Sequence, residues 1–291
     1  MTKNNLVRAI FFAIFSSFCF AMMGMFVHAS GDLPFFQKAF FRNLIAAIFA
    51  FVIAFKEWRK NPEVMKVEKP AWKFIFLRAA CGTVGIFGNF YALDHIPISD
   101  ASMLNKMSPF FSVLGSFLFL GEKPALISVL SLIGAFGGAL LVIKPTFDFT
   151  KLLPGLAGFA GGAGAGFAYS FIRKCHKYNV HGSIIILFFS VFSCLICLPF
   201  MLVFWTPMSL KQVLLLLGAG LSASGGQFGI TGAYFNAPAS KVSIYEYFMV
   251  IFSAILGFIA FRQIPDLWSL AGYAIIIGIA VLVFIYNGRN R

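Results

Sequence analysis

Residues 85–99 read Gly85-Ile86-Phe87-Gly88-Asn89-Phe90-Tyr91-Ala92-Leu93-Asp94-His95-Ile96-Pro97-Ile98-Ser99, and residues 226–240 read Gly226-Gln227-Phe228-Gly229-Ile230-Thr231-Gly232-Ala233-Tyr234-Phe235-Asn236-Ala237-Pro238-Ala239-Ser240. Both carry Gly-x-x-Gly followed by Pro-x-Ser, at an offset of 141 positions. The same offset takes Pro124 to Pro265 and Gly137 to Gly278, and it is close to half of the 291 residues. Four punctuation points with one spacing point to a duplicated unit, with halves at 1–147 and 148–291.

Between those points the chain is apolar. Hydrophobic residues make up 60% and charged residues 11%, and the mean hydropathy is +0.88. So little polar surface cannot cover a water-soluble globule. Ten apolar runs, at about 6–28, 34–55, 72–93, 98–120, 124–143, 154–172, 182–204, 211–234, 240–261 and 265–286, have the length that a helix needs to cross a bilayer. The expected fold is an all-α membrane protein of ten transmembrane helices. Five helices per unit is odd, so the second unit enters the membrane from the opposite side and the two form inverted repeats. Lys3 and Arg8 before the first run imitate a secretory leader, but removing it would leave unequal halves, so it reads as a retained first helix.

The net charge of +13 excludes little by itself. Nucleic-acid binding needs a basic face on a soluble domain, whereas these cations sit in short loops between apolar runs. Only Lys144, Lys151, Lys211 and Arg262 fall in loops on one side, and Lys38, Arg42, Arg78 and Lys106 lie inside spans; the rest of the 23 fall on the side of the termini. That bias predicts that both termini lie on the cytoplasmic side. Cys194-x-x-Cys197 has redox spacing in a hydrocarbon setting and reads as packing. No Walker A motif is present, the four histidines lack carboxylates at ligand spacing, and neither a nucleotide cofactor nor a metal is expected.

Tyr91-Ala92-Leu93, Ile96-Pro97-Ile98-Ser99-Asp100-Ala101, Ser108-Pro109-Phe110 and Gly121-Glu122-Lys123 together resemble the repeated signature of EamA-type carriers of the drug/metabolite transporter superfamily. Phe41-Arg42-Asn43, Leu77-Arg78-Ala79, Tyr245-Glu246-Tyr247 and Leu256-Gly257-Phe258 are similar to a bacterial subgroup that includes riboflavin and S-adenosylmethionine carriers. The resemblance implies a five-plus-five bundle, a central cavity and transport of small organic metabolites without ATP. Two positions depart from the pattern. Arg262-Gln263 stands where the family has Gly-Glu, and Met249-Val250 where many relatives have Glu-Pro. The second half is therefore expected to lack an outer-turn contact and a helix kink.

Charges inside spans are the sharpest local signal, because each costs roughly 2.5–3.5 kcal/mol at mid-helix on insertion scales. They are Lys38, Arg42, Arg78, Lys106 and Glu246; Asp100, at a span start, suits a helix N-terminus instead. Lys38 and Arg42 are four apart and share a helix face. Arg78 has snorkelling or an internal ion pair as its bland alternative. The repeat offset maps Glu246 onto Asn105, beside Lys106, so spans four and nine carry polar groups at matching depths. Candidate contacts with substrate are Lys38, Arg42, Arg78, Asn89, Asn105, Lys106, Gln227, Tyr245, Glu246 and Tyr247. For Glu246 the roles weighed are an ion pair with Lys106 or Arg42, proton coupling, and pairing with an amine. The excess of cations favours an anionic ligand, and the tyrosines a planar aromatic one.

The expected function is secondary-active transport by alternating access, proton-coupled or by exchange. The alternatives are an intramembrane enzyme acting on lipid or isoprenoid and a non-transporting sensor. An enzyme would want paired carboxylates or a Ser/His pair at membrane depth, and the sequence offers neither. The expected partners are a small metabolite and the bilayer, with a homodimer left open.

Overall fold

The computed structural model describes residues 3–96, 98–145, 152–262 and 264–289. The sequence marks Pro97 and Gln263 lie outside the described residues, as does the side chain of Asp100. Twelve α-helices follow one another: α1 (Lys3–Ala29), α2 (Phe35–Lys60), α3 (Lys69–His95), α4 (Ile98–Asn105), α5 (Ser108–Leu120), α6 (Leu126–Ile143), α7 (Leu152–Lys177), α8 (Gly182–Val203), α9 (Leu210–Asn236), α10 (Ala239–Val242), α11 (Phe248–Phe261) and α12 (Leu267–Arg289). Among the described residues nine spans are long and apolar enough to cross a membrane, two of them composites of a short and a longer helix. The chain is a multi-pass membrane protein. α7 matches the others in length at 26 residues, but its glycines and its cationic last turn lower its hydropathy, and it lies in the middle of the bundle.

Small residues decide which helices meet. α3 packs along α7, and α9 along α1. A Cβ on Gly88 would come within 2.2 Å of the Ala157 carbonyl oxygen, and one on Gly161 within 2.7 Å of the Asn89 nitrogen. A Cβ on the equivalent Gly229 of α9 would lie 3.0 Å from the Ser16 Cβ and 3.1 Å from the Phe12 carbonyl oxygen. Backbones can approach this closely only where a side chain is absent. The remaining major contacts are α2 with α8, α6 with α12, α5 with α7, α2 with α9, α1 with α11, and α3 with α8. Exchanging α1, α2, α3, α5 and α6 with α7, α8, α9, α11 and α12 in that order returns the same set of pairs: α1/α9 becomes α7/α3, α5/α7 becomes α11/α1, α2/α9 becomes α8/α3, and the α2/α8 and α6/α12 pairs map onto themselves.

The two composite spans are broken at points related by the 141-residue offset. Pro109 lacks an N–H and its ring opposes the carbonyl four residues earlier, so α4 ends at Asn105 and α5 starts at Ser108. The matching span has no proline, and the missing kink expected there is corrected by the structure. The chain tightens into a 3-10 segment, Ser243–Tyr247, between α10 and α11. Ser17 Oγ donates to the Tyr245 carbonyl at 3.2 Å, which also accepts the backbone N–H of Phe248. Gly121 ends α5 in the left-handed region at φ 70°, and Arg262 ends α11 in the same region at φ 55°. Arg262 therefore makes the turn that glycine makes in the first half, against the steric preference of a side chain.

Candidate functional site

The two breaks meet. Tyr247, which the repeat offset aligns with Lys106, donates its hydroxyl to the Lys106 carbonyl at 3.1 Å. Beside that contact lies a cavity of about 140 Å3, lined from α1, α2, α3, α4, α5, α7, α8, α9, α11 and the 3-10 segment. Arg42, Arg78 and Lys106 are all buried against it, at 6%, 1% and 8% exposure.

None of these cations is met by a carboxylate among the described residues. Arg42 Nε donates to the Met23 sulfur at 3.0 Å and its Nη1 to Asn43 Oδ1 at 3.3 Å. Arg78 Nη2 donates to Gln227 Oε1 at 2.9 Å, its guanidinium lies 4.1 Å from the Phe189 ring centroid, and its Nε has no partner. Lys106 Nζ donates to the Met249 sulfur at 3.1 Å. Thioether sulfur is a weak acceptor, and an amide dipole compensates a buried charge only in part.

Glu246 also lines the cavity, and its Oε1 accepts the Tyr234 hydroxyl at 2.6 Å. The ion pair with Lys106 or Arg42 weighed for it is not formed in this state. Its backbone is held by Ser17 from α1.

Of the ten sequence candidates, Arg42, Arg78, Asn89, Asn105, Lys106, Gln227 and Glu246 line the cavity. Lys38, half-buried on α2, does not, although it shares the helix face of Arg42. Tyr245 and Tyr247 do not either: they are buried in the core, and Tyr245 reaches back toward the Ala280 carbonyl at 3.5 Å. Sequence reasoning missed Tyr169, Ser16, Ser17, Met23 and Phe189. Tyr169 sits on the glycine-rich face of α7, and that stripe of small residues was the available signal.

The lining extends from Tyr169 and Ile230 toward Asn89 and Phe90. One turn past Tyr169 on α7, Arg173 donates to Glu122 Oε1 at 3.3 Å and to the carbonyls of Tyr234 and Phe235 at 3.3 and 3.0 Å. Lys177 lies 3.9 Å from the same carboxylate. This clamp gathers the C-terminal ends of α5, α7 and α9, where partial negative charge favours a cation. At the other end of the bundle Lys144, after α6, pairs with Asp266, ahead of α12.

The model of the EamA-like transporter family matches residues 7–144. A pseudopaline exporter of Pseudomonas aeruginosa is 30% identical over 284 residues, covering 95% of this chain and 96% of its own. A riboflavin transporter of Vibrio cholerae is 30% identical over 69% of this chain and 67% of its own. A solved protein crystal structure superposes with a TM-score of 0.82 at 15% identity, over 97% of this chain and 98% of that one, which is a likeness of fold.

Proposed function

The chain belongs to the EamA-like transporter family, and from that premise we propose that it moves a small organic anion across the bacterial inner membrane by alternating access, as a secondary-active carrier. The observation that carries this reading is the set of three buried cations, Arg42, Arg78 and Lys106, around one cavity with neutral partners only. A carboxylate or phosphate entering the cavity would replace a sulfur and an amide by acceptors that match the charge. Export is the preferred direction by analogy with the pseudopaline exporter.

In this reading the spans number ten, with α7 as the sixth, and form two inverted halves, 1–147 and 148–291. The repeat offset, the paired helix breaks and the contact set that survives exchange of the halves support it. Both termini are cytoplasmic, from the cation bias. The clamp of Arg173 and Glu122 is then the closed cytoplasmic gate, and the cavity faces outward. Glu246, the one carboxylate that lines the cavity among the described residues, binds the coupled proton or a substrate amine.

Uptake into proteoliposomes tests the proposal. Radiolabelled mono- and dicarboxylates should enter in a saturable manner and lose at least tenfold in rate with Arg42→Gln. Transport confined to permanently cationic compounds would overturn it.

A further inference from the structure

Lys106 and Met249 belong to two cavities. On the far side of their contact lies a cleft of about 440 Å3, which both residues line together with Val142, Val250, Ala254 and Tyr273. One wall is a face of α11 and the other is made by the adjoining ends of α6 and α12. These last two pack along each other, whereas α11 and α12, though consecutive, scarcely touch. The gap is therefore built into the helix arrangement. It reaches the surface at Ile264, which is 82% exposed. Its walls are mostly hydrocarbon, and its charged group is Lys106 at the inner end.

We propose that the central cavity and this cleft are the head and tail compartments of one binding site for an amphiphilic anion, with Lys106 and Met249 as a movable partition. The inference rests on the anion reading of the central cavity and names the substrate class within it. Three observations carry it. The central cavity, at about 140 Å3, is well below the roughly 300–1,000 Å3 of pockets that hold drug-sized ligands. Lys106 is buried yet has a thioether as its acceptor, so an anionic head would attract it away from Met249. Its backbone is pinned by Tyr247 at the break between α4 and α5, which lets the side chain swing while the helices stay in place. Met249, unbranched and with three rotatable bonds, can follow at little cost. With the partition withdrawn, a ligand anchored at Arg42 and Arg78 extends its apolar part between α11 and the α6/α12 pair.

The test uses the full chain in phosphatidylcholine nanodiscs and the probes acetate, butyrate, hexanoate and octanoate, with empty nanodiscs as the partition blank. Affinity should rise about threefold to fourfold per added methylene, the factor that burying one methylene gives. Ala254→Trp, which fills the cleft from its lipid-facing wall, should flatten that rise, and Ser253→Phe should do the same; the melting temperature of each variant reports folding. A flat series in the native chain, or a rise that both folded variants leave intact, overturns the tail compartment while short anions still bind. If neither acetate nor octanoate binds, the anion reading of the central cavity falls first.

Discussion

Among the described residues Arg78 is the largest fully buried side chain, and it is a cation whose Nε has no partner there. Its insertion cost of roughly 2.5–3.5 kcal/mol is offset only in part by Gln227 and the Phe189 ring. The expected outcome for Arg78→Met is a melting temperature that holds or rises, because an apolar residue of similar length removes the charge and leaves one amide oxygen unpaired at about 1–3 kcal/mol. Transport should fall at least tenfold. A fully active Arg78→Met carrier would reduce Arg78 to a structural cation. Such residues were legible in the sequence because a charge in an apolar run is conspicuous. Tyrosines were not legible in the same way. Tyr245, Tyr247 and Tyr169 all lie in apolar surroundings, and only the packing tells that the first two point into the core while the third faces the cavity.

At the scale of the helices, glycines of identical sequence appearance divide into two kinds. Gly88 has the Ala157 carbonyl oxygen 2.2 Å from where a Cβ would sit, so Gly88→Ala must push α3 away from α7, at about 1–3 kcal/mol or more. Gly137, a repeat mark as clear in the sequence, has nothing within 4 Å. Gly137→Ala should stabilise its helix by up to about 1 kcal/mol. Thermal unfolding of the two variants in matched detergent checks both signs. Turn chemistry provides a second case. Arg262 holds a left-handed backbone at φ 55° where the first half has Gly121, and Arg262→Gly should raise stability by about 1 kcal/mol in the same assay. The sequence flagged Arg262 as a departure, but not that the turn would form regardless. The break in the span holding Glu246 was equally hidden, since a 3-10 segment has no proline to announce it.

For the whole molecule, the offset of 141 positions is readable in the sequence, but no spacing in it says how the two ends of the bundle are tied. That depends on interactions between distant segments. Arg173 of α7 joins Glu122 after α5 to the last carbonyls of α9 at one end, and Lys144 joins Asp266 at the other. The hydrogen bond from Lys144, with backbone help from Ser269, holds the Asp266 carboxyl down at about 2. A depressed value means that its contribution is complete above the ordinary carboxylate range and fades only as pH falls toward 2. Between pH 5 and 8 this pair is constant, and Asp266→Asn should leave the pH profile of transport unchanged in shape. The opposite clamp has a built-in reporter. Cys175 is fully buried two residues from Arg173, behind the helix ends that the guanidinium ties together. Glu122→Gln removes the charge shared by Arg173 and Lys177 and weakens a partly buried, charge-assisted contact of the kind usually contributing about 1.5–3 kcal/mol. If the clamp is the closed gate of an alternating carrier, opening at that end becomes at least tenfold more frequent. Alkylation of Cys175 by a membrane-impermeant maleimide should then accelerate by the same factor from that face, and saturating anion should change the rate. An unchanged rate in a folded Glu122→Gln protein would mean that the clamp is static packing and that the moving parts lie elsewhere in the bundle.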